Sequence, residues 1–229
     1  MKTVFYILVL MVGFQVRLVA QVFEKPSFSL TSHPTLEIIS IEKWEDQTVL
    51  NIRVKNQRIS GSFCFDKETF LLNSLGNEEW KLTSMDGIPA CPDQHRFKSI
   101  GEVLDFSLVF PAIPDEIKYI DLHEGCEDAC VSVKYILLDE EMNNQINEGF
   151  NLYELGRLAA SLQVFEDIME AEYDNYSPVF GTLYLYMMSI QYELGQSKEI
   201  KRIFNELKES SIIGREEFIQ TARDTGLVR

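Results

Sequence analysis

The chain has 229 residues, 45 % of them apolar and 11 % aromatic, enough to bury one large core or two smaller ones. Thirty-six acidic residues against 21 basic ones leave a formal net charge of −15, which excludes an electrostatic grip on nucleic acid or on an anionic bilayer. No polybasic run exists to reverse that argument locally.

The chain opens with Met1-Lys2, an apolar run from Val4 to Phe14, and Val16-Arg17-Leu18-Val19-Ala20 before Gln21. This is the layout of a secretory signal peptide over residues 1–20, cleaved after Ala20. An apolar run of about a dozen residues is short of the ~20 that span a bilayer as a helix, so stable membrane insertion after cleavage is not expected. Removing the leader takes away Lys2 and Arg17 and no acid, moving the net charge to about −17. The mature protein is expected in the periplasm or outside the cell.

Composition changes near Asp139. Before it lie most of the prolines, all four cysteines and many β-branched residues; after it come helix formers. The expected organisation is a segregated two-domain α+β chain, with an antiparallel immunoglobulin-like β-sandwich over 21–138 and helical hairpins over 139–229. In the first part Leu50, Ile52 and Val54 alternate with polar partners, as do Leu104, Phe106, Leu108 and Phe110, which is the period of half-buried strands. Further strands are predicted over 36–41, 61–65, 69–72, 79–82, 117–122 and 131–138. Turn residues at Gly76-Asn77, Asp86-Gly87, Pro111 to Pro114 and Glu124-Gly125 separate them at the spacing of a sandwich.

Cys64, Cys91, Cys126 and Cys130 in an exported chain point to two disulfides. Three pairings are open; Cys64 with Cys91 and Cys126 with Cys130 is favoured because the second pair closes a small loop beside Gly125. The rival reading is a zinc or redox site built from Cys91, His95, His123, Cys126 and Cys130. Its first cluster has only one cysteine, and Cys126-x-x-x-Cys130 is not the spacing of thioredoxin-type redox sites.

In the tail, Tyr153-Glu154-Leu155-Gly156 recurs as Tyr192-Glu193-Leu194-Gly195 at a spacing of 39. Each copy lies between apolar stretches of helical period, so the unit is helix, Leu-Gly turn, helix. Ile146, Phe150 and Tyr153 lead into Leu158, Leu162, Phe165 and Ile168. Ser177-Pro178 opens the third helix, Ser197 is placed to cap the fourth, and 216–223 forms a short last one. Tyr184, Met187, Met188 and Tyr192 on the third helix are the candidate partner-binding residues, with plain core packing as the alternative. Between Asp139 and Asp174 stand ten acidic residues and one basic, Arg157, a solvated face or a dock for a basic partner.

Two resemblances follow. Thr48 to Ile52, Leu71 to Gly76, Gly87-Ile88-Pro89, Phe106 to Pro111 and Ile120 to Cys126 resemble the immunoglobulin-like N-terminal module of secreted proteins from Gram-negative gut anaerobes, which implies a β-sandwich and brings no catalytic set. Gly149, Leu155-Gly156, Ser161, Phe165 and Ile168 resemble tetratricopeptide repeats, which implies a binding scaffold; Met188 and Ile200 depart from that pattern.

No Gly-rich phosphate loop, His-Glu-x-x-His helix or Gly-x-Ser-x-Gly elbow is present, and the only histidines are His33, His95 and His123. The expected function is therefore a non-enzymatic protein- or peptide-binding scaffold of the cell envelope, without a cofactor and with a partner the sequence does not name.

Overall fold

The computed structural model describes residues 20–126, 130–171 and 176–228. The leader expected over 1–20 lies, apart from Ala20, outside them. In chain order the strands are β1 Gln21–Glu24, β2 Leu30–Thr31, β3 Leu36–Lys43, β4 Gln47–Lys55, β5 Ser62–Phe63, β6 Phe70–Asn73, β7 Glu79–Lys81, β8 Ser84–Asp86, β9 His95–Arg96, β10 Val103–Pro111, β11 Tyr119–His123 and β12 Ser132–Leu137. The helices are α1 Glu140–Glu154, α2 Leu158–Ala171, α3 Val179–Glu193, α4 Ser197–Glu209 and α5 Arg215–Asp224. Among the described residues no helix is long and apolar enough to cross a membrane.

Two five-stranded antiparallel sheets form the N-terminal part, ordered β1-β3-β4-β10-β8 and β2-β12-β11-β6-β7, and β5 pairs with β9 beside them. The longest ladder explains the core. Leu50, Ile52 and Val54 of β4 stand opposite Leu108, Phe106 and Leu104 of β10, so every second residue of both strands falls on one face. That face meets Leu71, Ile120, Leu122, Val133 and Ile136 of the second sheet in one buried cluster. Full burial of each such side chain contributes roughly 1.5–3 kcal/mol. On the outward face of the first sheet Arg53 makes a bidentate bond to Asp105, at 2.7 and 2.9 Å.

The strands that sequence reading misses, β1, β2, β8 and β9, are two to four residues long, too short to show an alternation.

The recurring tetrapeptide is a helix stop used twice. Gly156 and Gly195 sit at φ +70° and +73°, a left-handed turn that an L side chain resists. From there the Gly156 and Arg157 N–H groups return to the carbonyls of Tyr153 and Leu152, and those of Gly195 and Gln196 return to Tyr192 and Gln191. The starts of the helices differ from one another. Asp139 caps α1 through Oδ1, which accepts the Met142 N–H at 3.0 Å. Ser197 does not cap α4 but is its first residue, after a Gln196 with no capping side chain. Ser177 is likewise diverted, its Oγ sharing a 2.7 Å bond with the Tyr119 hydroxyl.

In the first hairpin Gly149 lets α1 close on α2: a Cβ there would overlap the Phe165 ring, and Ser161 Oγ donates to the Gly149 carbonyl at 2.8 Å. The equivalent place in the second copy holds Met188. There the close approach moves to Gly181, whose missing Cβ makes room for Phe218 of α5.

The helices are built onto the sandwich. Tyr119 of β11 and Leu137 of β12 belong to the same buried cluster as Ile146, Phe165, Phe180 and Phe218. Asn143 of α1, 1 % exposed, accepts the Ser27 N–H at 2.8 Å and donates to the Leu137 carbonyl at 3.0 Å. Asn147 reaches the Lys25 carbonyl, Thr182 of α3 the Ser29 carbonyl, and Lys134 of β12 pairs with Glu217 of α5. The first helix of each hairpin and α5 therefore turn toward the sandwich. That side of the helices is taken up inside the chain, by polar side chains that find backbone partners there.

Candidate functional site

The cysteines pair Cys64 with Cys91 and Cys126 with Cys130. This leaves the rival zinc reading without thiolates. His95 lies edge-on to Phe97 with its Nε2 3.8 Å from Glu102, whereas His123 stacks on Phe70 beside Asp121. Among the described residues no three His, Cys, Asp or Glu side chains converge as a metal site would require.

His123 takes part in a polar chain that the sequence did not announce. Its Nδ1 is 3.4 Å from Ser132 Oγ and its Nε2 3.7 Å from Asp121 Oδ2, an acid–histidine–serine order along adjacent strands. Asp121 has other obligations. Its Oδ1 accepts Ser74 Oγ–H at 2.6 Å and the Tyr135 N–H at 2.7 Å. Burial pushes this carboxyl up, but the bonds from His123, Ser74 and Tyr135 outweigh it and hold the group below its ordinary range. Tyr135 stands at φ +57° where β11 and β12 slip register, so the carboxylate pins an irregular strand. The Ser132 N–H is bound to Ser32 Oγ, and the chain reads as a structural brace.

A groove opens between three of the helices. It has a volume of about 290 Å³ and is walled by Glu166, Met169 and Glu170 of α2, Tyr184 and Met187 of α3, and Arg202, Ile203 and Glu206 of α4. On α2 these are i, i+3 and i+4 positions and on α3 i and i+3, one stripe from each helix, whereas α4 contributes the adjacent Arg202 and Ile203 with Glu206 one turn on. Arg202 is the cation among three carboxylates: Nε bonds Glu199 at 2.8 Å, Nη1 bonds Glu206 at 2.7 Å, and Nη2 lies 3.9 Å from Glu166. Burial raises the pKa of Glu166 against the pull of Arg202, with Glu170, Asp167 and Glu206 adding to the rise. The groove therefore combines an apolar, polarisable floor with a surplus of negative charge.

The four residues singled out on α3 are divided. Tyr184 and Met187 line the groove. Met188 is 0 % exposed in the helical core and cannot touch a ligand, while Tyr192, 65 % exposed, lies beyond the groove at the end of the helix. At about 100° per residue these positions span roughly 140° of the helix, wider than one groove. Tyr153, the counterpart of Tyr192, instead donates its hydroxyl to Glu193 at 2.5 Å, which with burial pushes its pKa up to about 12. Of the acidic stretch 139–174, Glu166 and Glu170 reach the groove; their spacing of four was the available signal, hidden among ten acids. Compared with protein families, with characterised proteins and with solved structures, the chain has no match.

Proposed function

We propose that the protein is an exported, non-enzymatic scaffold of the cell envelope that binds a basic, apolar-flanked segment of a protein partner in the groove between α2, α3 and α4. The carrying observation is the groove itself: Glu166, Glu170 and Glu206 ring a floor of Met169, Tyr184 and Met187, with Arg202 as the internal cation. A lysine or arginine of the partner meets carboxylates already concentrated by the fold, and its apolar neighbours meet methionine, which adapts its shape readily.

The architecture supports the scaffold reading. Taking β3, β4, β6, β7, β8, β10, β11 and β12 as A, B, C, C′, D, E, F and G turns the two sheets into A-B-E-D and G-F-C-C′, the pairing of an immunoglobulin-like sandwich, with β1 and β2 added at the edges. The Leu-Gly turns and the contact of Gly149 with Phe165 favour tetratricopeptide-like hairpins. Two disulfides favour a compartment outside the cytoplasm.

Fluorescence anisotropy with synthetic peptides tests the proposal. A peptide with lysines flanking a leucine–methionine centre is expected to bind, more weakly as salt rises, while its glutamate-flanked counterpart does not. Glu166→Lys with Glu170→Lys should weaken binding at least about tenfold. Equal binding of both peptides, or no effect of the double substitution, overturns the proposal.

A further inference from the structure

A second groove lies on the sandwich and is independent of the helical one. β12 runs from Ser132, beside the Cys126–Cys130 loop, to Leu137 on the helices, so the loops near Ser132 are at the end opposite the helical junction. There the segment 56–61 leaving β4 is folded around one buried side chain. Asn56 is 5 % exposed. Its Oδ1 accepts the Arg58 N–H at 3.1 Å, and its Nδ2 donates to the carbonyls of Arg58 and Ser99 at 2.8 and 2.7 Å. Its own N–H and carbonyl are bound to Glu102 and Gly101, both at 2.8 Å. A Cβ at Gly61 would overlap Asn56 Oδ1, and Ser60 is held at φ +57°.

Such a loop has its shape before any ligand arrives, which removes the ordering cost from binding. What it displays is unusual for a tethered turn. Arg58 is exposed, and Ile59 stands 85 % exposed. Holding isoleucine in water forgoes a burial gain that a ligand covering it would recover.

The loop forms one wall of a groove of about 600 Å³, also bounded by His33, Lys55 and Phe63. The size is that of a small-molecule site. Although the chain carries 36 acids, no Asp or Glu among the described residues lines this groove. Among the described residues neither Lys55 nor Arg58 makes an ion pair, whereas Arg53, Arg202 and Arg215 do. The His33 ring lies 5.2 Å from that of Phe63, and burial, then the charge of Arg58, holds its pKa below the ordinary range. Among the described residues the result is a positive depression in a negative protein, where field lines concentrate an anion.

We propose that this groove binds a small amphiphilic anion, its oxyanion held by Arg58 and Lys55 and its apolar body laid against Ile59 and Phe63. The test is amide NMR on the full, disulfide-intact chain with four probes: octanoate, phenyl phosphate, octanol and inorganic phosphate. Octanoate or phenyl phosphate should shift the amides of 56–61, the tighter of the two identifying the oxyanion as carboxylate or phosphate. Octanol and inorganic phosphate, each lacking one half of the chemistry, should bind at least about tenfold more weakly. Arg58→Gln and Ile59→Ser should each weaken binding about tenfold while the strand amides keep their positions. Absence of shifts with both amphiphilic anions, octanol binding as tightly as octanoate, or an unchanged affinity in Arg58→Gln overturns the proposal. None of these outcomes bears on the peptide groove of α2, α3 and α4.

Discussion

Replacing Asn143 by leucine is expected to destabilise the protein by about 2–5 kcal/mol, although leucine has the same branching and a better helix propensity. The reason lies in what the substitution strands. Asn143 is enclosed between α1 and the sandwich, and it satisfies the Ser27 N–H with its oxygen and the Leu137 carbonyl with its amide. Leucine leaves a donor and an acceptor buried without partners, each costing about 1–3 kcal/mol. Asn143→Asp separates the two contributions, because a carboxylate still accepts from Ser27 but presents lone pairs to the Leu137 carbonyl. Urea unfolding followed by circular dichroism should therefore place Asn143→Leu well below the wild type and show Asn143→Asp destabilised as well. A leucine variant as stable as the wild type means that the helices do not depend on these bonds to hold the sandwich.

Converting Cys64 and Cys91 together to serine is expected to cost about 3.5 kcal/mol in the chain-entropy estimate, since the bridge closes a loop with a sequence separation of 27. The same change at Cys126 and Cys130, separated by four, should cost only about 2 kcal/mol. The order of the two midpoints in denaturant is the informative quantity, because strain and residual structure in the unfolded chain alter the absolute values. The larger effect should come from the bridge joining the segment after β5 to the segment before β9. Equal losses, or a greater loss at Cys126–Cys130, would show that loop length is not what governs the bridges.

The legible parts of the sequence were those in which one residue repeats a physical demand at fixed spacing. Leu50, Ile52 and Val54 announce a strand because each second position is buried, and Phe218, Ile219 and Ala222 announce α5 because one helical stripe is buried. The left-handed glycines at the two Leu-Gly turns were equally plain, since little else tolerates that backbone. What could not be read is the docking of the helices on the sandwich. Asn143, Asn147 and Thr182 look like ordinary polar helix residues, and their partners are backbone groups more than a hundred residues away in three of the four bonds they make to the sandwich. The groove of α2, α3 and α4 was half visible: Tyr184 and Met187 stood out as large residues on a helix, but the carboxylates that give the groove its charge come from two other helices. The loop over 56–61 had a local signature, an isoleucine set among Asn56, Ser60 and Gly61, that only the exposure of Ile59 makes meaningful.

Hydrogen exchange on the full chain, with and without the lysine-flanked peptide, tests the peptide groove most directly. The expected footprint is slowed exchange in α2 and α4 around Glu166, Glu170, Arg202 and Glu206, with the helical junction at Asn143 and the loop at Arg58 unchanged. Protection confined to the sandwich, or none in α2 and α4 under saturating peptide, contradicts the assignment of that groove as the partner's seat.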